Sequence, residues 1–509
     1  MSKAYLTNLQ RYCPTGTAEG EKGIRGEIFV QFPSFVELVV PPAYSPRLLV
    51  GQKGCGKSLL VDFSLDVLQA KKIPCIKLRP VDLNIDSIPD NASIAQAHRE
   101  AYGVLVRACA AALGTELTGL LNESENKLRD EAIAQGNVKP DVVSQLANWL
   151  PKVAKELTDV DISSLLPMQP SATVKELSQS LSESLSHNGK ALRSLYIFID
   201  DTDQVASPDK PTHLNRIWGL LLACRDLAQI SDEIRCVVTL RQEVWVRITS
   251  DRAGNRDQTD HFKTLVRMLD PTVDELKDII RRRLKMALKA AKAPEFLDGY
   301  VGLFENHRPL MPGGEAPTSW EDMIVTRSRG RPRDSIQLLN ILATQALDEG
   351  SEKITERHVT EIIAGFSESR VDFLCQENEG ECKNLKSVFK AFAPRTIYDE
   401  GSFKLSSGSA LKTCAAIPSS FSLTLFGHAH RPGNIADAYA LWSFLFRIGF
   451  LNARVARPGG RYLHIPPVRN PGLVSETNQN QLQSITWEVH PAFRDYLISE
   501  QSTVTYVRR

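Results

Sequence analysis

Residues 51–58 have the composition and spacing of a loop that binds phosphate groups. They are Gly51, Gln52, Lys53, Gly54, Cys55, Gly56, Lys57 and Ser58, a full match to the pattern G-x-x-x-x-G-K-[ST]. The glycines allow the backbone to bend around phosphate oxygens and to turn its N–H groups toward them. Lys57 is predicted to contact the β- and γ-phosphates of a nucleotide, and the Ser58 hydroxyl is predicted to bind Mg²⁺.

The residues on either side predict that this loop joins a strand to a helix. Residues 48–50 form a short apolar run of the kind a buried strand needs, and apolar residues then recur at helical spacing up to Leu68. The partial positive charge of a helix N-terminus would favour phosphate binding. These flanks disfavour the alternative, a glycine-rich turn that matches by chance. The predicted nucleotide contacts are therefore residues 51–58 and the next residue, Leu59.

Two acidic residues follow a second apolar run. Residues 195–199 are continuously apolar, as in a parallel strand buried on both faces, and Asp200 and Asp201 come directly after them. Open α/β sheets place their ligands at this end of a strand. Asp200 is predicted to hold Mg²⁺ directly or through water, and Asp201 to orient or activate the attacking water. The alternative is a strand that ends in a solvated acidic turn. Asp203 fits a third acid at the site and a turn residue equally well.

Two arginines are candidate phosphate contacts. Arg241 follows the apolar residues 234–240, and its planar fork suits phosphate oxygens; the alternative is a surface arginine. Arg333 falls in the first turn of a predicted helix, where the helix dipole does not favour a cation. Arg333 is therefore a candidate nucleotide sensor, and the alternative is that it pairs with Asp334 or another carboxylate.

Composition limits the remaining classes of function. A length of 509 residues predicts two to four domains, and a formal net charge of +1 provides no overall field that would attract nucleic acid or a membrane. The nine cysteines are scattered without a C-x-x-C pair, which disfavours a zinc site or a disulfide framework and fits a reducing cytoplasm. No apolar run approaches the ~20 residues that span a bilayer, so we expect no membrane partner.

The chain order predicts an α/β fold with a parallel sheet and several added modules. Residues 1–46 are a lead-in, and residues 47–269 form the core, with a helical insertion at about 93–186 that includes residues 142–157. Residues 262–269 are predicted as the last strand of the core. A capping box at Thr272 and Glu275 then begins a helical lid over 270–377, and residues 385–509 have the helix-then-hairpin order of a winged helix.

Basic residues cluster in three places that could contact nucleic acid. One face of the first lid helix is predicted to carry Arg281, Arg282, Arg283, Lys285, Lys289 and Lys292. A second cluster consists of Arg327, Arg329, Arg331 and Arg333, and the predicted wing carries Arg454, Arg457 and Arg461. A solvated helical face is the ordinary interpretation of the first cluster, and a wing that binds protein is as good an interpretation as one that binds DNA.

In this order of motifs the chain resembles the AAA+/STAND group of P-loop ATPases, in particular its origin-recognition and initiator branch and bacterial STAND-like ATPases. The resemblance implies that residues 51–58 are the Walker A motif, Asp200 and Asp201 the Walker B acids, and that ATP and Mg²⁺ are the cofactors. It also implies Arg241 as a sensor arginine of the T-x-R kind and Arg333 as a second sensor in the lid. An arginine finger from a neighbouring subunit is expected, for which the nearest candidates are Arg247, Arg252 and Arg256.

The chain departs from this group in two respects. Its second acid is Asp201 where AAA+ enzymes commonly have Glu, which argues for slow, switch-like hydrolysis, and its insertion between the Walker motifs is long. The first functional hypothesis is an ATPase that forms homo-oligomers and controls a protein effector, and the resemblance adds a role in bacterial anti-phage defence. A DNA-binding initiator or loader that contacts duplex DNA is the alternative. A small-molecule kinase is disfavoured by the multidomain order.

Overall fold

A computed structural model of the chain describes residues 2–32, 34–83, 85, 88–89, 91–117, 121–137, 172–186, 194–202, 213–250, 259–305, 308–310, 317–393, 403–457, 462–467, 470 and 472–507. The chain divides into two units. We call Gln31–Asp270 the parallel-sheet unit. The other combines Met1–Val30 with Pro271–Arg509, and we call it the split unit. Among the described residues, no helix is long and apolar enough to cross a membrane.

The parallel-sheet unit is built on five strands in the order β2-β3-β4-β1-β5, and all neighbouring pairs are parallel. The predicted α/β class with a parallel sheet is therefore confirmed. The three central strands are almost wholly buried because helices cover both faces of such a sheet. The strands are β1 (Arg47–Gly51), β2 (Cys75–Leu78), β3 (Leu195–Ile199), β4 (Ile234–Arg241) and β5 (Val266–Met268).

Helices occupy most of the chain between these strands. The split unit begins with α1 (Ser2–Tyr12) and α2 (Arg25–Ile28). The parallel-sheet unit contains α3 (Phe35–Val39), α4 (Lys57–Ala70), α5 (Ile94–Glu116), α6 (Glu123–Ala134), α7 (Val174–Ser186), α8 (His213–Ala228), α9 (Gln242–Ser250) and α10 (Thr259–Leu265).

The described part of the insertion is helical, as predicted, and small residues let its helices pack closely. A Cβ atom added to Gly114 of α5 would lie 2.1 Å from the Leu128 carbonyl oxygen of α6. A Cβ on Gly219 of α8 would lie 2.7 Å from Ala97 Cβ of α5. Glycine at both positions therefore permits the backbones to approach each other. The predicted helical stretch at residues 142–157 lies outside the described residues.

The last strand of the core is shorter than predicted. Residues 262–265 belong to α10, and only Val266–Met268 form a strand, β5. Phe262 is fully buried, and its ring lies 4.9 Å from that of Trp218, while the neighbouring Asp260 and Lys263 are exposed. One buried aromatic residue among polar neighbours suits a short helix better than a strand of this sheet, whose central members are buried along most of their length. The prediction of a strand over residues 262–269 is wrong for its first half.

The split unit continues with ten helices and six short strands among its described residues. The helices are α11 (Val273–Ala290), α12 (Gly299–Leu303), α13 (Trp320–Arg327), α14 (Pro332–Asp348), α15 (Glu356–Glu377), α16 (Leu385–Lys390), α17 (Ser407–Ala416), α18 (Ile435–Arg447), α19 (Gln479–Gln483) and α20 (Pro491–Val507). The strands are β6 (Lys404–Ser406), β7 (Thr424–Leu425), β8 (His428–Ala429), β9 (Leu451–Ala456), β10 (Tyr462–Ile465) and β11 (Ile485–Val489).

Two features of this unit bear on the predictions. The capping box of α11 is present, because the Thr272 hydroxyl accepts from the Glu275 N–H at 3.2 Å while Glu275 Oε2 accepts from the Thr272 N–H at 2.8 Å. Strands β10-β9-β11-β6 form an antiparallel sheet in that order. In this sheet β9 and β10 form the hairpin at the place of the predicted wing.

Several arginines of the predicted basic clusters are bound by carboxylates inside the split unit. Arg283 is almost fully buried and lies 2.9 Å from Glu21, so its assignment to the exposed face of α11 is wrong. Its position follows from the segment before α2, which covers this side of α11. In the second cluster the shortest N–O distances are 3.0 Å for Arg327 and Asp495, 2.8 Å for Arg329 and Asp334, and 3.4 Å for Arg331 and Glu377.

A buried carboxylate also holds the hairpin. Glu488 of β11 lies 2.6 Å from Arg454 Nη1, 3.0 Å from Arg494 Nη2 and 2.7 Å from His464 Nε2. Burial by itself would raise the pKa of Glu488, but the hydrogen bond with His464 and the charges of both arginines outweigh it and lower the pKa to about 2. Arg454, predicted as a phosphate contact, is therefore engaged within the sheet. Arg457 is exposed, and Arg461 lies outside the described residues.

We predict that Glu488→Gln lowers the free energy of unfolding at pH 7 by about 3 kcal/mol, since it leaves buried cations without their carboxylate. A glutamate in an unfolded chain titrates near 4.3, so the stabilisation from Glu488 is present above that pH and is lost as the pH falls toward 2. The difference in the free energy of unfolding between the unsubstituted protein and Glu488→Gln should therefore be about half as large at pH 3 as at pH 7. Urea unfolding at both pH values measures it. Exposed Glu476→Gln is the matched control, and an equal difference at pH 7 and pH 3 would contradict the prediction.

Candidate nucleotide-binding site

The loop between β1 and α4 follows a course that requires glycine. Gly54 and Gly56 have φ angles of 83° and 104°, in the left-handed region where side chains are disfavoured. A Cβ atom on Gly51 would lie 2.6 Å from Cys55 Sγ and 2.7 Å from the carbonyl oxygen of Leu269. Cys55 and Leu269 therefore pack so closely against the last residue of β1 that position 51 has no room for a side chain.

The loop leaves space beside Gly56 at the start of α4. Among the described residues, none has an atom within 4 Å of a Cβ added to Gly56, and no side chain caps the N-terminus of α4. The first N–H groups of a helix have no partner within the helix and carry a partial positive charge. A phosphate group would fit this position because it accepts several such hydrogen bonds at once.

Lys57 bends back across the loop. Its Nζ donates to the carbonyl oxygens of Gly51 at 2.7 Å and Gln52 at 3.0 Å, and it lies 3.9 Å from Cys55 Sγ. These acceptors are uncharged, and hydrogen bonds from an ammonium group to phosphate oxygens are stronger. The ammonium group is thus held beside the loop by hydrogen bonds to carbonyl oxygens, and hydrogen bonds to a phosphate could replace them.

The sheet order brings the loop and the acidic residues to one edge. In the register of β1 and β4, Gly51 is opposite Arg241, and in that of β3 and β4, Ile199 is opposite Val238. All these strands are parallel, so the loop, Asp200 and Arg241 lie at their carboxyl ends. The strand between the loop and the acids is β4, whose last residues therefore lie beside both.

Asp200 is buried to 1% exposure and makes contacts through both carboxylate oxygens. Thr239 Oγ1 donates to Oδ1 at 2.6 Å, and Lys77 Nζ lies 3.2 Å from Oδ2. The Asp200 N–H donates to the Leu78 carbonyl oxygen at 2.9 Å. A buried carboxylate is stable only when charge and hydrogen bonds compensate its lost hydration. These contacts supply both, and they fix the orientation of the side chain.

Lys77 connects this acid to α4. Its Nζ also lies 2.7 Å from Asp62 Oδ1, so the ammonium group lies between two carboxylates. Burial alone would lower the pKa of Lys77, but the hydrogen bond to Asp62 and the charge of Asp200 outweigh it, and the pKa is raised. Lys77 is therefore positively charged at neutral pH.

The sequence predictions did not include Lys77, Asp62 or Thr239. The signal for Lys77 is a single lysine in the apolar run of β2, where an unpaired charge would be costly. Thr239 stands two residues before Arg241 on β4, so both side chains point to the same face of the sheet. Asp62 follows Ser58 by four residues, which is one helical turn, so the two lie on one face of α4.

Asp201 lies at a sharp turn directly after Asp200. Its φ angle of 54° is in the left-handed region, which is uncommon for a residue other than glycine. The next residue secures the turn, since the Thr202 hydroxyl donates to the Thr239 carbonyl oxygen at 2.6 Å. Asp201 itself is partly exposed, as a residue that acts on water must be. The predicted third acid, Asp203, lies outside the described residues.

The candidate arginines lie in different parts of the chain. Arg241 is the last residue of β4, and Arg247 is in α9; both are half-buried. The other two finger candidates, Arg252 and Arg256, lie outside the described residues. Of the predicted site residues, Arg333 is the one that belongs to the split unit rather than the parallel-sheet unit.

The surroundings of Arg333 bear on the alternative that it pairs with Asp334. Arg333 is in the first turn of α14, as predicted, and its Nε donates to the Gly16 carbonyl oxygen at 3.3 Å. Among the described residues, buried Asp334 forms ion pairs with Arg329 and Arg370 instead. The Asp334 carboxylate is therefore already paired with two arginines other than Arg333.

The oxygen donors near the loop fit a magnesium ion. Ser58 is in the first turn of α4, Asp62 is one turn further, and Asp200 directly follows β3. Mg²⁺ prefers hydroxyl, carboxylate, phosphate and water oxygens, and it is usually held by one or two carboxylates together with a phosphate. Hydroxyl and carboxylate are the donor types that the predicted ligands Ser58 and Asp200 provide.

Part of the split unit matches a known family model. Residues 274–375, which run from α11 to α15, match the family described as FunZ-associated C-terminal helical domain. No curated protein matches the chain.

Solved structures show only a distant likeness. Cdc6p from Pyrobaculum aerophilum is similar at 12% identity and a TM-score of 0.32, over 91% of this chain and 94% of that chain. The ORC2 protein of Aeropyrum pernix, solved as ADPNP–ADP complexes, is similar at 10% identity and a TM-score of 0.39, over 97% and 94% of the two chains. Drosophila ORC bound to DNA is similar at 11% identity and a TM-score of 0.30, over 93% and 89%.

Proposed function

We propose that this chain binds and hydrolyses ATP at the loop between β1 and α4. The observation that carries the proposal is the buried Asp200 carboxylate, which Thr239 and Lys77 hold at the same sheet edge as the loop. A glycine loop at a helix N-terminus accounts for phosphate binding alone. The acid beside it adds what hydrolysis needs, a charged oxygen fixed at the phosphate end of the site.

Each residue has a role that follows from its position. The N–H groups at the start of α4 and the Lys57 ammonium group bind and orient the phosphates, and they neutralise the charge that develops on them. Ser58 and Asp200 would hold Mg²⁺, which when bound withdraws charge from the phosphate oxygens. Asp201 accepts a proton from the attacking water or orients it. Phosphoryl transfer needs mainly positioning and charge neutralisation, and this set provides both.

The adenine nucleotide and the wider role are proposed from the resemblance to AAA+/STAND ATPases. In that proposal Arg241 and Arg333 respond to the γ-phosphate, and the chain forms homo-oligomers in which Arg247, Arg252 or Arg256 acts on a neighbouring site. Hydrolysis would then switch the assembly between two states. Control of a protein effector, including one in anti-phage defence, is one use of such a switch.

Duplex DNA is the partner in a second candidate function, an initiator-type ATPase. The observation that favours it is a row of lysines on the C-terminal half of α11 and just beyond it. Lys285, Lys289 and Lys292 are exposed, whereas their neighbour Arg283 is buried in an ion pair. Exposed lysines at helical spacing can contact successive phosphates of a duplex.

The Lys57→Ala variant tests nucleotide binding. Loss of the ammonium group removes charge-assisted hydrogen bonds to the phosphates, so the affinity for ATP should fall about ten- to a hundredfold. Isothermal titration calorimetry measures the affinity, and circular dichroism confirms the fold. Lys71→Ala, an exposed lysine just after the same helix, is the control and should bind ATP normally. Unchanged affinity in Lys57→Ala would contradict the proposal.

The Asp201→Asn variant separates hydrolysis from binding. If Asp201 activates the attacking water, the rate of phosphate release should fall about 10²- to 10⁴-fold while ATP affinity is retained. Single-turnover assays give the rate and calorimetry gives the affinity. Asp232→Asn is the control, because Asp232 is an exposed acid before a neighbouring strand. Normal turnover in Asp201→Asn would remove this residue from the catalytic role.

Charge reversal on α11 tests the DNA function. The double variant Lys285→Glu/Lys289→Glu should bind duplex DNA at least about tenfold more weakly, and its affinity should depend less steeply on salt, by about one unit of slope per lost phosphate contact. Gel-shift titrations at several salt concentrations measure both. The variant Lys71→Glu/Lys383→Glu carries the same charge change at exposed lysines elsewhere and is the control. Equal binding by both variants would exclude α11 as a DNA contact.

A further inference from the structure

The position of Lys77 allows a second role besides holding Asp200. It is the one charged residue of β2, and its ammonium group bridges Asp62 of α4 and Asp200 after β3. The side chain is 28% exposed, whereas that of Asp200 is 1% exposed. The ammonium group therefore links a carboxylate that is almost fully buried to a side chain that is partly exposed to solvent.

The bridge engages the carboxylate that would bind the metal. Thr239 occupies Oδ1 of Asp200 at 2.6 Å, which leaves Oδ2 as the oxygen that an additional cation can reach. Lys77 Nζ lies 3.2 Å from this oxygen. Any cation that binds Oδ2 must therefore share it with the ammonium group or take its place.

The second anchor of Lys77 gives the ammonium group an alternative partner. Asp62 Oδ1 is the closer of its two contacts, at 2.7 Å. Asp62 also follows Ser58 by one helical turn, so Lys77 approaches the face of α4 that carries the predicted metal-binding hydroxyl. When Lys77 leaves Asp200 it can keep its contact with Asp62, so its charge stays compensated.

We propose that Lys77 is an internal counter-ion that occupies the metal side of Asp200, so that Mg²⁺ binds with nucleotide only by displacing its ammonium group. The inference rests on the proposed function, since it assumes that nucleotide and Mg²⁺ bind here. Two cations repel each other when they share one oxygen in a poorly hydrated site, so binding of the metal and the Lys77–Asp200 contact exclude each other. Lys77 thus keeps Asp200 neutralised without metal and raises the magnesium concentration that the site requires.

Removal of the charge at Lys77 tests this competition. Lys77→Met keeps an unbranched side chain without the ammonium group, and Lys77→Gln is a second neutral variant that can still donate a hydrogen bond to Asp200. ADP affinity is titrated by calorimetry over a range of Mg²⁺ concentrations, which gives the midpoint concentration of Mg²⁺ without any reliance on turnover. Circular dichroism confirms that each variant is folded.

Both neutral variants should lower the magnesium midpoint about two- to fivefold, the size of a partly exposed charge contact. Lys77→Arg keeps the charge and should leave the midpoint near that of the unsubstituted chain. Lys263→Met removes a lysine that pairs with Asp260 at an exposed position and should not change it. A merely structural role for Lys77 would instead raise the midpoint or leave it unchanged in the neutral variants.

The outcomes separate this inference from the function on which it rests. Normal ADP binding with an unchanged or raised magnesium midpoint in both Lys77→Met and Lys77→Gln overturns the inference alone. Absence of nucleotide binding by the unsubstituted chain overturns the proposed function and the inference together. A lowered midpoint in a neutral variant, with the Lys77→Arg midpoint unchanged, supports competition between the ammonium group and the metal.

Discussion

The burial of the Asp200 carboxylate is the constraint on which the candidate site depends. A charged group at 1% exposure would be strongly unfavourable by itself, so the surrounding elements must each contribute a compensating group. Strand β4 contributes the Thr239 hydroxyl, and β2 contributes Lys77. Helix α4 contributes Asp62, which holds that lysine in place. The contacts that compensate the buried charge of Asp200 also fix the orientation of its side chain. The stability of the buried carboxylate and the geometry of the site therefore have one physical cause.

The parts of the site that the sequence predicts are those whose geometry is local. The loop at residues 51–58 is defined by glycine conformations and a helix N-terminus within one short segment, and the acids directly follow one apolar run. Lys77 and Thr239 could not be assigned in this way, because each contacts Asp200 only through the order in which β2, β3 and β4 are arranged. That order depends on the packing of the whole sheet and on no single motif.

The surroundings of individual arginines in the basic clusters could not be predicted for a related reason. Arg283 pairs with Glu21, and Arg327 pairs with Asp495. Both carboxylates lie far from these arginines in the chain, and the residues around them do not indicate the pairing. A helical pattern shows which residues share a face, but it cannot show that another segment covers this face. The misassigned strand at residues 262–265 is a smaller case, since these residues are helical and Phe262 packs against Trp218 of a different helix.

The split unit has a consequence for how the protein is made. Helix α1 buries Leu6 and Leu9, and its core partners lie on α11 and later helices, so its apolar face is not covered until the ribosome has passed residue 271. At about 5–20 residues per second, synthesis of the intervening parallel-sheet unit takes tens of seconds. During that interval α1 is an exposed amphipathic segment on the nascent chain. The apolar face of α1 therefore lacks its folded partners throughout the synthesis of the parallel-sheet unit.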